Sequence, residues 1–122
     1  MAFGPIFKKT DFQGGKNILA SEHLEYVKGG VTLDHTKFPT GHNEVGALIA
    51  RNLTTGKFEP FSTTEGFDSF YVLNEDFDNS YGQDLIAGEA IVRGSVYEEK
   101  LPQAVPAEFK EANPLIQYIR HI

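Results

Sequence analysis

The chain has 122 residues, of which 40% are hydrophobic and 23% charged, and it contains no cysteine and no tryptophan. This length suits one domain with one modest core, and the lack of cysteine excludes disulfides, thiolate metal sites and thiol nucleophiles. The formal net charge of −6 predicts no general affinity for nucleic acid or for anionic membranes, because both are bound through clustered Lys and Arg.

The chain shows no targeting pattern. No apolar run approaches the roughly 20 residues needed to span a bilayer. At the N-terminus the positive charges of Lys8 and Lys9 follow the apolar residues instead of preceding them, unlike a signal peptide. We therefore expect a protein that is made in the cytoplasm.

The sequence divides into an N-terminal arm over residues 1–15 and a single β-rich domain over residues 16–122. Glycine and proline interrupt the arm too often for a helix, yet it is too apolar for a solvated tail. Its apolar positions are Phe3, Ile6, Phe7 and Phe12. Two interpretations stay open: a strand laid on its own domain, or an arm that orders on a partner by adding to an exposed sheet edge.

The next part of the chain is less regular. Residues 16–28 fit a short helix or a strand equally well. A short strand is predicted over Val31–Leu33, and a turn-rich loop follows over residues 34–44.

Short β-type runs then recur at spacings of about 8–12 residues, which is typical of a small all-β sandwich or barrel. Strands are predicted over 45–50, 58–61, 69–73 and 84–93. A tight turn over 52–57 would be closed by Gly56 with a positive φ. Residues 74–83 are predicted to form a polar loop. Gly88 is predicted to form a β-bulge, and Gly94 is predicted to interrupt the strand.

In the C-terminal segment the spacing of apolar residues changes from that of a strand to that of a helix. One or two helical turns are predicted over Ala107–Ala112. Asn113 as N-cap and Pro114 at the first helical position then predict a second short helix. Its apolar face would carry Leu115, Ile116, Ile119 and Ile122. The predicted fold is mainly β, a small β-barrel with a short C-terminal helix.

Metal sites have weak support. Placing Asp76, Asp78 and Ser80 in a calcium loop puts Tyr81 where the required glycine belongs, so the EF-hand pattern fails. A solvated acidic turn is favoured, and a different oxygen-ligand site stays open.

Four residues of one loop offer a second set of oxygen and nitrogen ligands, but loops rich in polar residues produce such sets by coincidence. They are Asp34, His35, His42 and Glu44. We expect no metal and no cofactor.

Catalytic motifs are missing from the sequence. It has no G-x-S-x-G elbow and no phosphate-binding glycine loop, and no pattern brings two carboxylates into one cleft. We expect a protein that is not an enzyme.

Three segments in order, residues 50–60, 72–78 and 90–96, resemble the head decoration proteins of tailed phages, the family typified by that of phage lambda. The matching features are a Thr-Thr-Gly-Lys-Phe-Glu-Pro hairpin, a Val-Leu-Asn-Glu-Asp-Phe-Asp stretch and an Ala-Ile-Val-Arg-Gly strand. The order and spacing cover about half of the chain. Residues 1–33 have little match, and they form a longer N-terminal portion than the family pattern has.

The resemblance implies a β-tulip-like subunit that sits on the outside of the expanded capsid and cements neighbouring major-capsid subunits. It also implies a homotrimer whose N-terminal arm pairs with the shell, and the candidate capsid-binding residues are Phe3, Ile6, Phe7 and Phe12. Two alternatives are another β-rich virion component, such as a head fibre or a minor structural or tail protein, and a carbohydrate- or ligand-binding domain. The ligand-binding domain would stack its ligand on Tyr71, Tyr81 and Tyr97.

Overall fold

The computed structural model of the protein describes residues 17–120. The predicted arm over residues 1–15, with Phe3, Ile6, Phe7 and Phe12, lies outside the described residues. Within that range the chain forms ten short strands, a six-residue helix and a single 3-10 turn over Glu98–Lys100. The strands are β1 (Glu25–Tyr26), β2 (Val31–Leu33), β3 (Gly41–Asn43), β4 (Leu48–Asn52), β5 (Phe58–Pro60), β6 (Phe67–Leu73), β7 (Phe77–Asn79), β8 (Leu85–Ala87), β9 (Ala90–Tyr97) and β10 (Ile116–Ile119), and the helix α1 spans Ala107–Ala112.

Eight of these strands form one mixed sheet. Its order is β1-β9-β6-β4-β5-β2-β8, and β10 also pairs with β9. The pairs β2–β5 and β9–β10 are parallel and the others are antiparallel. The sheet curls into a half-barrel, so the predicted mainly-β class with one short C-terminal helix is confirmed. Strands β3 and β7 form a separate two-stranded sheet.

The β4–β5 hairpin follows from local turn chemistry. The side-chain oxygen of Asn52 accepts hydrogen bonds from the backbone N–H groups of Thr54 at 2.7 Å and Thr55 at 3.2 Å. Gly56 has a φ of 76°, a conformation that costs glycine little. The predicted turn is confirmed.

Both faces of the main sheet are covered by apolar side chains. On β4, Leu48 and Ala50 enter one hydrophobic cluster and Ile49 enters the other, as the alternation of side chains along a strand requires. The first cluster packs beneath α1 around Phe109, which is fully buried. The second cluster lies against β2 and β8. The first cluster therefore lies between the sheet and α1, whereas the second is enclosed largely by strands of the sheet itself.

Asn113 holds β6 and β9 together where they separate. The two strands pair at Val72–Ile91 and Leu73–Ala90, and beyond that point the Asn113 side chain lies between them. Its amide nitrogen donates to the backbone oxygens of Phe70 at 2.6 Å and Val92 at 3.2 Å. Beyond the gap that Asn113 bridges, one edge of β9 no longer pairs with β6. From Gly94 onward that edge pairs with β10.

The second C-terminal helix predicted from Asn113 and Pro114 is wrong. Asn113 is the C-cap of α1, and Ile116–Ile119 is a strand parallel to β9. Leu115 is 55% exposed while Ile116 is buried, so the expected helical face does not exist. Pairing with the open edge of β9 and burial of a β-branched side chain outweigh the local helix-start signal.

The helical turns predicted over Ala107–Ala112 are confirmed as α1.

Other boundaries differ where strands pair over long distances. The predicted polar loop 74–83 contains β7, which pairs with β3 inside the predicted loop 34–44.

The predicted strand 84–93 is two strands, β8 and β9, and Gly94 lies inside β9 instead of breaking it. The strand predicted over 45–50 begins at Leu48. Within residues 17–28 the chain is extended, with β1 and a bridge between Leu19 and Val96.

Replacing Asn113 with Ala should lower the free energy of unfolding by about 2 kcal/mol, because a buried and a partly buried backbone carbonyl lose their donor. Urea unfolding at pH 7 measures this difference. Gln117→Ala is the matched control, since it removes an exposed amide from the neighbouring strand and should change stability by less than about 0.5 kcal/mol. Equal losses in the two variants would contradict the bridging role of Asn113.

Candidate functional site

The described residues form two candidate functional sites. One is an ion-paired cluster at the end of three strands, and the other is an apolar groove beside the helix. The cluster forms where β2 ends and where β5 and β8 begin. His35 follows β2, Lys57 precedes β5 and Asp84 precedes β8. Leu33 pairs with both Phe58 and Leu85, which brings the three polar residues together.

Asp84 is the centre of the cluster. Its Oδ1 accepts a hydrogen bond from the backbone N–H of His35 at 3.1 Å and lies 2.6 Å from Nδ1 of the same residue. Its Oδ2 lies 2.6 Å from the ammonium nitrogen of Lys57. Hydrogen bonds from His35 and then from Lys57 hold the pKa of the Asp84 carboxyl well below its usual range. The carboxylate is thus fully engaged by this chain's own donors.

Asp34 lies beside Asp84 and is 8% exposed. Its Oδ1 accepts hydrogen bonds from the hydroxyl of Thr36 at 2.7 Å and from the Thr36 N–H at 3.0 Å. The Thr36 hydroxyl lowers the pKa of Asp34 more than burial raises it. The buried carboxylate is stabilised by its own turn.

One potential ligand atom from each of Asp34, His35 and Asp84 lies within 4.8 Å of the others, close enough for a shared cation. However, the Lys57 ammonium already neutralises Asp84, and a cation would have to displace it. This geometry fits an electrostatic tie between three strand ends better than an open ligand set.

Only part of the predicted four-residue ligand group assembles. Asp34 and His35 belong to the cluster, whereas the Nε2 of His42 lies 3.6 Å from an oxygen of Asp76, the residue before β7. Asp84 and Lys57 were not predicted. His35 and Asp84 are 49 positions apart, and no local pattern in the sequence connects them.

The acidic segment does not converge on one point. Asp76 contacts His42, Asp78 accepts a hydrogen bond from Ser80, and Glu75 accepts one from the backbone N–H of Glu89 at 2.9 Å. Each carboxylate serves a different partner, as expected for a structured acidic turn.

The three tyrosines considered as stacking platforms have separate surroundings. Tyr71 is half-buried and stacks on Phe58 with ring centroids 5.5 Å apart, and Lys100 lies over the ring of Tyr97. Tyr81 is 72% exposed in a turn. None of these contacts joins one of the tyrosines to another.

The apolar groove has a volume of about 390 Å³ and is bounded by the segment after β9, the end of β5 and the loop before β3. Four prolines and two phenylalanines are among the residues that line it. They are Pro39, Pro60, Pro102, Pro106, Phe38 and Phe61. Leu48 lies at its base and is buried, and His42, Glu44 and Gln103 add polar groups.

One wall of the groove depends on Gly46. Its φ is 100°, and a Cβ there would lie 2.9 Å from Cδ of Pro102 and 3.0 Å from Cδ2 of Leu101. The Gln103 amide donates to the Gly46 oxygen at 3.1 Å. Glycine is therefore needed for the close approach that sets this wall.

The described residues include no helix that is both long and apolar enough to cross a membrane. No protein-family model matches the chain, and no curated protein or solved structure is significantly similar to it.

Replacing Asp84 with Asn should lower the thermal midpoint at pH 7, because the side chain loses its charge and its ion pair with Lys57. The folded-state pKa of Asp84 lies below its unfolded value of about 3.9, so its contribution is present above that pH and is lost as the pH falls further. The difference between wild type and variant should therefore shrink from pH 7 to pH 2. Calorimetry across this range tests the effect.

The control for this experiment is Glu22→Gln, which makes the same charge change at an exposed position. It should leave the midpoint nearly unchanged at both pH values. A destabilisation by Asp84→Asn that is constant down to pH 2 would contradict the electrostatic role.

Proposed function

We propose that this chain is a structural virion protein that binds the outside of an expanded phage capsid and cements neighbouring major-capsid subunits. The observation that carries the proposal is the ordered set of segments 50–60, 72–78 and 90–96, which resembles the head decoration proteins. The first segment contributes to β4 and contains β5, the second covers the end of β6 and runs into β7 of the two-stranded sheet, and the third lies in β9. Strands β9, β6, β4 and β5 are adjacent in the main sheet, so the main-sheet parts of the resemblance lie side by side.

The inventory of polar groups supports a role without catalysis. Asp84, the centre of the ion-paired cluster, contacts His35 and Lys57. In the acidic turn Asp76 contacts His42 of β3 and Asp78 accepts a hydrogen bond from Ser80. A protein that holds subunits together needs contact area and shape complementarity. By binding the assembled lattice and not the separate subunits, it stabilises the lattice by mass action.

The surface of the domain offers apolar contacts for such a role. Strand β8 ends the sheet path with β2 as its single strand partner among residues 17–120. Ile86 of β8 is 78% exposed and Leu53 at the hairpin turn is 61% exposed. Exposed apolar side chains and an open strand edge are features of interaction surfaces.

In this proposal the arm makes the main contact with the shell, and the working form is a homotrimer on the virion exterior. The capsid-binding residues are Phe3, Ile6, Phe7 and Phe12, since a few apolar anchors carry most of the energy of an interface. The partner is the lattice of the major capsid protein, with no nucleic acid or membrane involved.

The proposal predicts binding to the expanded shell and not to the unexpanded one. The test is co-sedimentation of the full chain with both forms of the shell built from the major capsid protein encoded in the same genome. Binding to the expanded form alone supports the proposal, and binding to neither form overturns it.

Deleting residues 1–11 should abolish this co-sedimentation while the domain stays folded, because three of the four anchors are lost. Circular dichroism of the truncated chain checks the fold. The control is Leu115→Ser, which removes an exposed apolar residue that the proposal does not place at the contact and should leave binding in place. A truncated chain that occupies expanded shells as fully as the intact chain would exclude the arm as the anchor.

A further inference from the structure

The apolar groove is built to accept side chains and not a paired strand. Pro39, Pro60, Pro102 and Pro106 stand around it, and proline has no backbone N–H to donate. Strand addition at these positions would find no donors. Phe38, Phe61 and Leu48 instead offer apolar contact, so the fitting occupant is an extended segment that carries aromatic and aliphatic side chains.

The described chain begins at the hydrophobic cluster to which Leu48 of the groove belongs. Ile18 is fully buried in the same hydrophobic cluster as Leu48 and Leu101. Its backbone oxygen accepts a hydrogen bond from the N–H of Tyr97 at 2.8 Å, and the neighbouring bridge between Leu19 and Val96 is antiparallel. Towards its N-terminus the chain therefore leaves Ile18 in the direction in which β9 runs, and β9 is followed, after the 3-10 turn, by Pro102 of the groove wall.

We propose that residues 3–12 of the same chain occupy this groove in the free protein, with phenylalanine side chains between the proline walls. Phe12 precedes Ile18 by six residues. Six residues of extended chain span about 20 Å. The tether raises the effective concentration of the segment at the groove to the order of mM.

Charge also favours this occupant. Residues 1–16 contain three lysines and one aspartate, whereas the whole chain has a net charge of −6. A positive segment is therefore joined to an acidic domain. The inference goes beyond the proposed function and holds for the free protein whether or not it binds a capsid.

Paramagnetic broadening of NMR signals tests the inference, because a chain without cysteine takes a nitroxide at one chosen position. The label is placed on Ala104→Cys, an exposed residue of the groove. The amide signals of residues 3–12 should broaden strongly. The same label on Thr54→Cys, at the exposed hairpin turn, should leave them sharp. Equal signals with the two labels would overturn the inference.

Two further measurements separate docking from other causes of proximity. Adding Phe7→Ser and Phe12→Ser to the Ala104→Cys chain should reduce the broadening several-fold, and broadening that persists would mean proximity by tethering alone. In a mixture of isotope-labelled chains without nitroxide and nitroxide-labelled chains without isotope, the signals should stay sharp. Broadening there would mean that the segment docks on a second copy, which would also overturn the inference.

Discussion

The double pairing of β9 is the constraint on which the rest of the described fold depends. Near its start, Ile91 pairs with Tyr26 on one edge and with Val72 on the other. Near its end, Val96 pairs with Leu19 on one edge and with Tyr118 on the other. The change of partner from β6 to β10 takes place where Asn113 bridges the separating strands. One strand thus fixes the beginning of the described chain, the central sheet and the C-terminal strand.

This constraint also positions both features of the surface. The segment that leaves β9 passes through a single turn to Leu101 and Pro102, which both pack on Gly46, and Pro102 lines the groove. At the other end of the strand order, β2 lies between β5 and β8, and the cluster around Asp84 joins the ends of these three strands. The polar residues of the cluster thereby hold three strand ends of the sheet together. The groove, in contrast, exposes apolar surface on which an extended segment is proposed to lie.

The sequence predicts those parts of the structure whose signals are local. Asn52 and Gly56 specify the hairpin through their own backbone preferences, and the turns of α1 were predicted at its observed bounds. Ile116 and Ile119 were misassigned because their strand depends on the open edge of β9, which no nearby residue encodes. Similarly, β3 and β7 have three residues each and form only by pairing with one another.

The same distinction between local signals and long-range pairing applies to the candidate site. Asp34 and His35 were identified as polar candidates, but Asp84 and Lys57 come from other strand ends and complete the cluster only through the sheet. The groove was not predicted, since its prolines come from three separate segments that are brought together by Gly46 and the packing of Leu48.

A protein whose surface offers an open strand edge and an apolar groove is suited to the proposed role of binding through contact area. The most direct test of that role is a cryo-electron microscopy reconstruction of expanded heads incubated with the full chain. The account predicts density for the β domain on the outer surface, over the junctions between major-capsid subunits, with residues 1–15 against the shell. Density inside the head or on the tail alone, or a bare shell at saturating protein, would contradict it.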